Sequence, residues 1–231
     1  MIWPFARPAL PVLDAAGSAR RAALARQEVD LKRPLADMRW CVVDVETGGL
    51  DAARDPLLAI GAVAIERGRI VLDASLEVGL TQAHSTAAAN ILIHGIGGSE
   101  QRAGQAPHEA LLDWLEFTRG APRVAFHAAF DQMVLQRALR EQLGLSIAAP
   151  WFDAAVVAPL LFPDAAPHCR HLDDWLAHFG IAVYARHGAL ADAYATAELW
   201  LVLLQAAQRN NIATAQQLRG LLRARRWLSV H

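Results

Sequence analysis
The order of short, β-rich apolar runs constrains this chain more than any other feature. Trp40-Cys41-Val42-Val43-Asp44-Val45 is one run and residues 57–66 a second, which Arg67-Gly68 turns into a third over 69–78. Runs of this length between turn residues read as strands, so the chain opens its core with a strand and then a hairpin. Helical patterns follow. Pro107 starts a helix over 109–119 that Gly120 ends, residues 123–126 make a fourth strand, and 130–143 form a helix stopped by Gly144. Asp153 caps a helix running to Leu161, residues 171–179 form a short helix closed by Gly180, and 190–208 form the longest. In that last segment Leu190, Tyr194, Ala197, Leu201 and Leu204 share one face at helical spacing. Strands first, then strands mixed with helices, predict an α/β chain: a mixed sheet flanked by helices.

The two ends differ from this pattern. Residues 1–37 carry prolines 4, 8 and 11 ahead of a helical stretch at 15–29 with Arg20, Arg21 and Arg26, and read as a partly helical N-terminal extension. Residues 208–231 read as a helical C-terminal tail, with its helix over 214–227. The 231 residues thus divide into an extension over 1–37, a domain over 38–207, and a tail over 208–231. At 54% hydrophobic and 19% charged, against about 25% charged in an average globular chain, disorder over most of the length is excluded.

No apolar run approaches the ~18 residues that span a bilayer, which argues against a membrane protein. The N-terminus lacks the basic and apolar regions of a secretory signal. Cys41 and Cys169 have no metal-type spacing, and so few cysteines suit a reducing compartment, so a cytoplasmic location is expected. A net charge of −1 gives no general attraction to nucleic acid, so any such substrate must be drawn by a local site.

The acids point to one. Asp44 and Glu46 stand two apart at the end of the first strand, so both side chains fall on one face. Adjacent carboxylates repel, and each raises the pKa of the other unless a hard cation offsets the charge. Thr47-Gly48-Gly49 then turns the chain, and glycines would admit a substrate backbone. An isolated Asp-x-Glu is more often a solvated strand end, but two further segments change the balance. His127-Ala128-Ala129-Phe130-Asp131 opens a helix directly after the fourth strand, placing Asp131 where open α/β sheets collect their sites. Asp192 lies in the first turn of the longest helix with His187 in the loop before it.

Asp44 to Leu50, His127 to Asp131 and His187 to Asp192, in that order, closely resemble the three motifs of the DEDDh group of 3′-to-5′ exonucleases. That family includes the proofreading subunit of bacterial DNA polymerase III and RNase T. The resemblance spans about 38–207 and extends to Ile93-His94-Gly95-Ile96. It departs at Ala128, where many relatives have Asn, and at Gly48, where many have Thr or Ser; neither is a metal-ligand position. It implies an RNase H-like fold and hydrolysis of phosphodiester bonds with two divalent cations, Mg²⁺ or Mn²⁺. By the same resemblance Asp44 bridges both ions, Glu46 and Asp192 complete the site of the attacking water, Asp131 holds the second ion, and His187 is the general base. Thr47, Gly48, Leu50 and His94 are expected to contact the terminal nucleotide, Leu50 as an apolar wedge.

The expected partner is nucleic acid with a free 3′ end, DNA in preference to RNA, as in polymerase proofreading or repair. Two alternatives stay open at this point: an exoribonuclease trimming RNA with the same five residues, and a nuclease-like scaffold subunit. The extensions motivate the second, as contacts for a polymerase or a sliding clamp. Arg219, Arg223 and Arg226 recur along the tail helix, and Gln217-Leu218 with Leu221-Leu222 is faintly similar to a clamp-binding peptide. Trp114, Trp151, Trp175 and Trp200 fall in apolar helical patterns and read as core.

Overall fold
In the computed structural model, residues 10–84, 86, 95–183 and 186–228 are described. Five strands build one sheet: β1 (Trp40–Thr47), β2 (Leu57–Glu66), β3 (Arg69–Gly79), β4 (Arg123–Ala125) and β5 (Trp151–Asp153). Their order is β3-β2-β1-β4-β5. The hairpin β2–β3 and the pair β1–β2 are antiparallel, while β4 and β5 are added in parallel. The mixed sheet expected from the sequence is therefore present. β5 was not expected; three residues after Pro150 are too short to display any periodicity.

Helices cover both faces. These are α1 (Ala15–Leu24), α2 (Gly98–Ala103), α3 (Pro107–Phe117), α4 (Ala129–Leu143), α5 (Ala154–Leu161), α6 (Leu172–His178), α7 (Ala189–Arg209) and α8 (Ala215–Leu228). Because β1 is covered on both faces it reads as a continuous apolar run, and alternate residues feed two cores. Trp40 and Val42 point toward α7, with the Trp40 ring edge-on to Trp200 at 5.2 Å and to Phe152 at 5.1 Å. Val43 and Val45 point to the opposite face, against α3 and α4. Asp44 and Glu46 continue the Trp40–Val42 row, so they emerge on the α7 face where the apolar row runs out.

The buried face of α7 differs from the expected one. Ala189, Ala193, Ala197, Trp200 and Leu204 are buried, while Leu190, Tyr194 and Leu201 are only partly so. Alanines make the contact at the start of the helix, with Ala189 over Gly61, and Leu199, Trp200 and Leu203 fill the core further along. Trp151 is a second correction: it lies on β5 and is half-buried, whereas Trp114, Trp175 and Trp200 are core.

The described parts of both extensions pack onto the domain. Arg20 of α1 donates to Glu109, Asp113 and Glu116 along α3, at 2.7, 2.6 and 2.9 Å. Gln27 accepts from Arg123 at 2.9 Å, a fully buried guanidinium that lies over the Trp114 ring and whose pKa burial pushes down to about 10. At the other end Leu35 donates to Ala213 and Gln216 to Leu31, joining the tail to the N-terminal segment. Leu218 is buried and Leu222 packs on the same core, while the Gln217 side chain accepts from the Ala213 and Thr214 amides. Gln217 and Leu218 are thus used internally, which takes them out of a clamp-binding peptide. No helix among the described residues is long and apolar enough to cross a membrane.

Candidate active site
Each acid is delivered by a different local device. Asp44 and Glu46 come from the two-residue period of β1, opposite Gly61 and Ala59 of β2, and the register slips just beyond Glu46. Gly61 lies directly beneath the start of α7. A Cβ there would overlap the carbonyl group of Ala189 and the amide nitrogen of Leu190, so the missing side chain lets the first turn of α7 settle onto the sheet. Asp192, in that first turn, is thereby lowered toward β1. Asp44, Glu46 and Asp192 each offer an oxygen, all within 4.8 Å of one another.

Asp131 arrives from the other side. β4 ends at Ala125, and His127 takes a left-handed backbone (φ 62°) that redirects the chain into α4. The backbone N–H of Val45 in β1 is near enough to Asp131 to offset part of the rise in its pKa. It is buried and stands outside the group of three, but it is near enough to raise the pKa of Asp44. His187 occupies the exposed loop before α7, also with a left-handed backbone (φ 63°), and lies near enough to Asp192 to offset part of the rise in its pKa.

The electrostatics describe acids without enough positive charge. Burial raises the pKa of Asp44 well above the usual carboxylate range, with further increments from Asp131, Asp192 and Glu46 and a partial offset from Arg186. Glu46 is pushed up to about 7 by burial and by Asp192. Asp131 and Asp192 are raised too, in both cases chiefly by burial. An all-oxygen donor set in which every carboxylate resists ionisation is suited to a hard divalent cation.

The sign of the resulting pH dependence follows. Below about 4.5 Glu46 is protonated folded or unfolded; between there and about 7 the folded state binds the extra proton; above 7 the cost of the buried charge is fully present. Stability in EDTA should therefore fall as pH rises through that window, and saturating Mn²⁺ should restore more at pH 8 than at pH 5. Thermal unfolding checks this, at about 2–4 °C for each kcal/mol in a domain of this size. An equal Mn²⁺ effect at both pH values would contradict it.

The remaining expected site residues fall as follows. Thr47 donates its hydroxyl to the Gly49 carbonyl at 2.6 Å. Gly48 donates to the Pro56 carbonyl, and a Cβ there would meet Pro56 and Thr86 at 2.8 Å, so the space over Gly48 is taken by the protein's own loop rather than left open. Leu50 is 92% exposed in the loop that follows β1. His94 lies outside the described residues. Three positioning residues escaped the sequence reading. Gly61 had a signal, a lone glycine in a strand. Asp153 was read only as a cap, which it is, accepting from Ala155; its carboxylate also takes the His127 amide at 3.0 Å and so holds the turn that delivers Asp131. Arg137 donates to the Ala52 and Asp55 carbonyls, tying the loop after β1 to α4, and has no local signature.

Asp44 and Glu46 at the C-terminal end of a central strand, Asp192 at the start of α7 and Asp131 behind them form a carboxylate cluster of the kind that can hold a hard divalent cation, on a mixed sheet flanked by helices. Residues 41–200 match the family model of the RNase T type, described as "Exonuclease", and the protein belongs to that exonuclease family. Among curated relatives, a DNA polymerase III subunit epsilon-like protein of Rhodobacter capsulatus is 32% identical over 78% of this chain and 26% of its own length. A DNA polymerase III PolC-type of Caldanaerobacter subterraneus is 28% identical over 80% of this chain and 13% of its own. The chain thus spans about a quarter or less of these relatives. Among solved structures, Exonuclease X in complex with 5′-overhanging duplex DNA aligns with a TM-score of 0.63 at 20% identity, covering 79% of this chain and 99% of that one. E. coli Exonuclease I with a dA16 oligonucleotide gives 0.63 at 17%, covering 75% and 42%.

Proposed function
We propose that this protein is a 3′-to-5′ exonuclease that removes nucleotides from single-stranded or frayed DNA ends, as in proofreading or repair. The observation that carries this is the convergence of Asp44, Glu46 and Asp192, with Asp131 behind them. Asp44, Glu46 and Asp192 would hold one Mg²⁺ or Mn²⁺, and Asp44 with Asp131 a second. Such ions lower the pKa of a bound water and stabilise charge on the attacking and leaving oxygens. The chain's own part is to fix the acids in place and to supply a base. His187, exposed in the loop before α7, can accept the proton of the attacking water when a strand is bound. Leu50 projects from the loop that follows β1, where it can press on the terminal base. The preference for DNA draws on the polymerase III relatives and on the DNA-bound structures with the same fold.

The deciding experiment is one assay series. Single-stranded DNA, duplex DNA with a mismatched end, and RNA, each labelled at the 3′ end, are incubated with Mg²⁺, Mn²⁺ or EDTA. Metal-dependent release of labelled mononucleotide from the first two is expected. Faster release from RNA would move the reading to an exoribonuclease, and no release from any substrate would leave only a binding role. Within the same series, His187→Ala should lower single-turnover rates by about 10²-fold, the usual worth of a general base, with little change in DNA affinity. A wild-type rate would remove His187 from the mechanism.

A further inference from the structure
The acid cluster already meets one cation of the protein itself. Arg186, immediately before His187, places Nε 2.9 Å from Asp192 Oδ1 and a terminal nitrogen 2.6 Å from Asp173 Oδ1. The outer contact is a hydrogen bond to an exposed carboxylate. The inner one is different: Nε and Oδ1 are within ion-pair distance but not aligned for a hydrogen bond, and neither atom has another partner. Charge alone holds that contact. The guanidinium also eases the ionisation of Asp44, so it serves one corner of the cluster as a divalent ion would serve the whole.

A cation ligated by Asp192 meets the guanidinium as a like charge at close range, and the two compete for one carboxylate. What then holds Arg186 is the pair with Asp173, an exposed contact of the kind worth little. A guanidinium fork matches a phosphate as well as it matches a carboxylate, and Arg186 adjoins both Asp192 and His187, where a scissile phosphate would have to lie. Resting on the exonuclease reading above, we propose that Arg186 exchanges partners: it neutralises Asp192 before the metal enters, and afterwards grips a phosphate of the bound strand.

The test needs two variants and two readouts. Arg186→Gln removes both charge and fork; calorimetric titration of the nucleic-acid-free protein with Mn²⁺ should show affinity tighter by about tenfold, and the KM for single-stranded DNA should rise by about tenfold. Arg186→Lys keeps the competing charge but not the fork, so Mn²⁺ affinity should stay near wild type while KM still rises. Unchanged or weaker Mn²⁺ binding by Arg186→Gln would overturn the proposal, as would an unchanged KM in both variants. Failure of the wild-type protein to bind Mn²⁺ at all would instead overturn the metal-site reading on which the proposal stands.

Discussion

Asp44→Asn should lower turnover on single-stranded DNA by about 10³-fold or more while leaving the protein folded. The magnitude is that of removing a group whose charge acts directly on the reacting centre. Asp44 is the acid that every other member of the cluster addresses: Asp131, Asp192 and Glu46 all raise its pKa, so it lies among them rather than at an edge. Losing its charge relieves repulsion, which should make the metal-free variant at least as heat-stable as the wild type. Stability and activity should therefore move in opposite directions, a pattern that simple misfolding would not produce. Calorimetry with Mn²⁺ should show affinity lost in parallel with turnover. A variant that keeps wild-type Mn²⁺ affinity would exclude Asp44 as a ligand.

Gly61→Val should be nearly as damaging, although Gly61 carries no chemistry. Its Cβ would overlap the backbone of Ala189 and Leu190, which cannot yield as a flexible side chain can, so the first turn of α7 must rise from the sheet. Overpacking of this kind costs about 1–3 kcal/mol. The functional cost should be larger, because Asp192 rides on that turn and displacements near an ångström can cost about 10²-fold in rate. Gly61→Ala should act in the same direction with a smaller effect. Mn²⁺ titration and thermal unfolding together check the argument: weakened metal binding with a lowered Tm is expected. Wild-type Mn²⁺ affinity in Gly61→Val would show that Asp192 does not depend on this contact.

The parts of the molecule that local patterns could reveal were those with a strong period or an isolated punctuator. β1 reads as a strand from its short apolar run, and side chains two apart on a strand share a face, so the common face of Asp44 and Glu46 was legible from their spacing alone. Gly144, with φ of 65°, ends α4 where expected. What was not legible depends on neighbours distant in the chain. β5 is a strand only because β4 pairs with it. The face that α7 buries is decided by how closely the sheet admits it, so at its start Ala189 and Ala193 are buried while Leu190 and Tyr194 are only partly so. Gly48 suggested an open approach for substrate, yet Pro56 and Thr86 fill that space. The pairing of Arg186 with both Asp173 and Asp192 joins two helices that no sequence window spans.

The seating of α7 over Gly61 also joins distant parts of the chain. Asp44 belongs to the first strand and Asp192 to the last long helix, with nearly the whole sheet formed between them. Contacts so far apart in sequence are closed late and at an entropic cost. A cation that needs both carboxylates consequently has no complete coordination shell in any partly assembled state, and its capture reports that the last long helix has docked. A cation held as proposed above would then be retained only by chains in which α7 has docked.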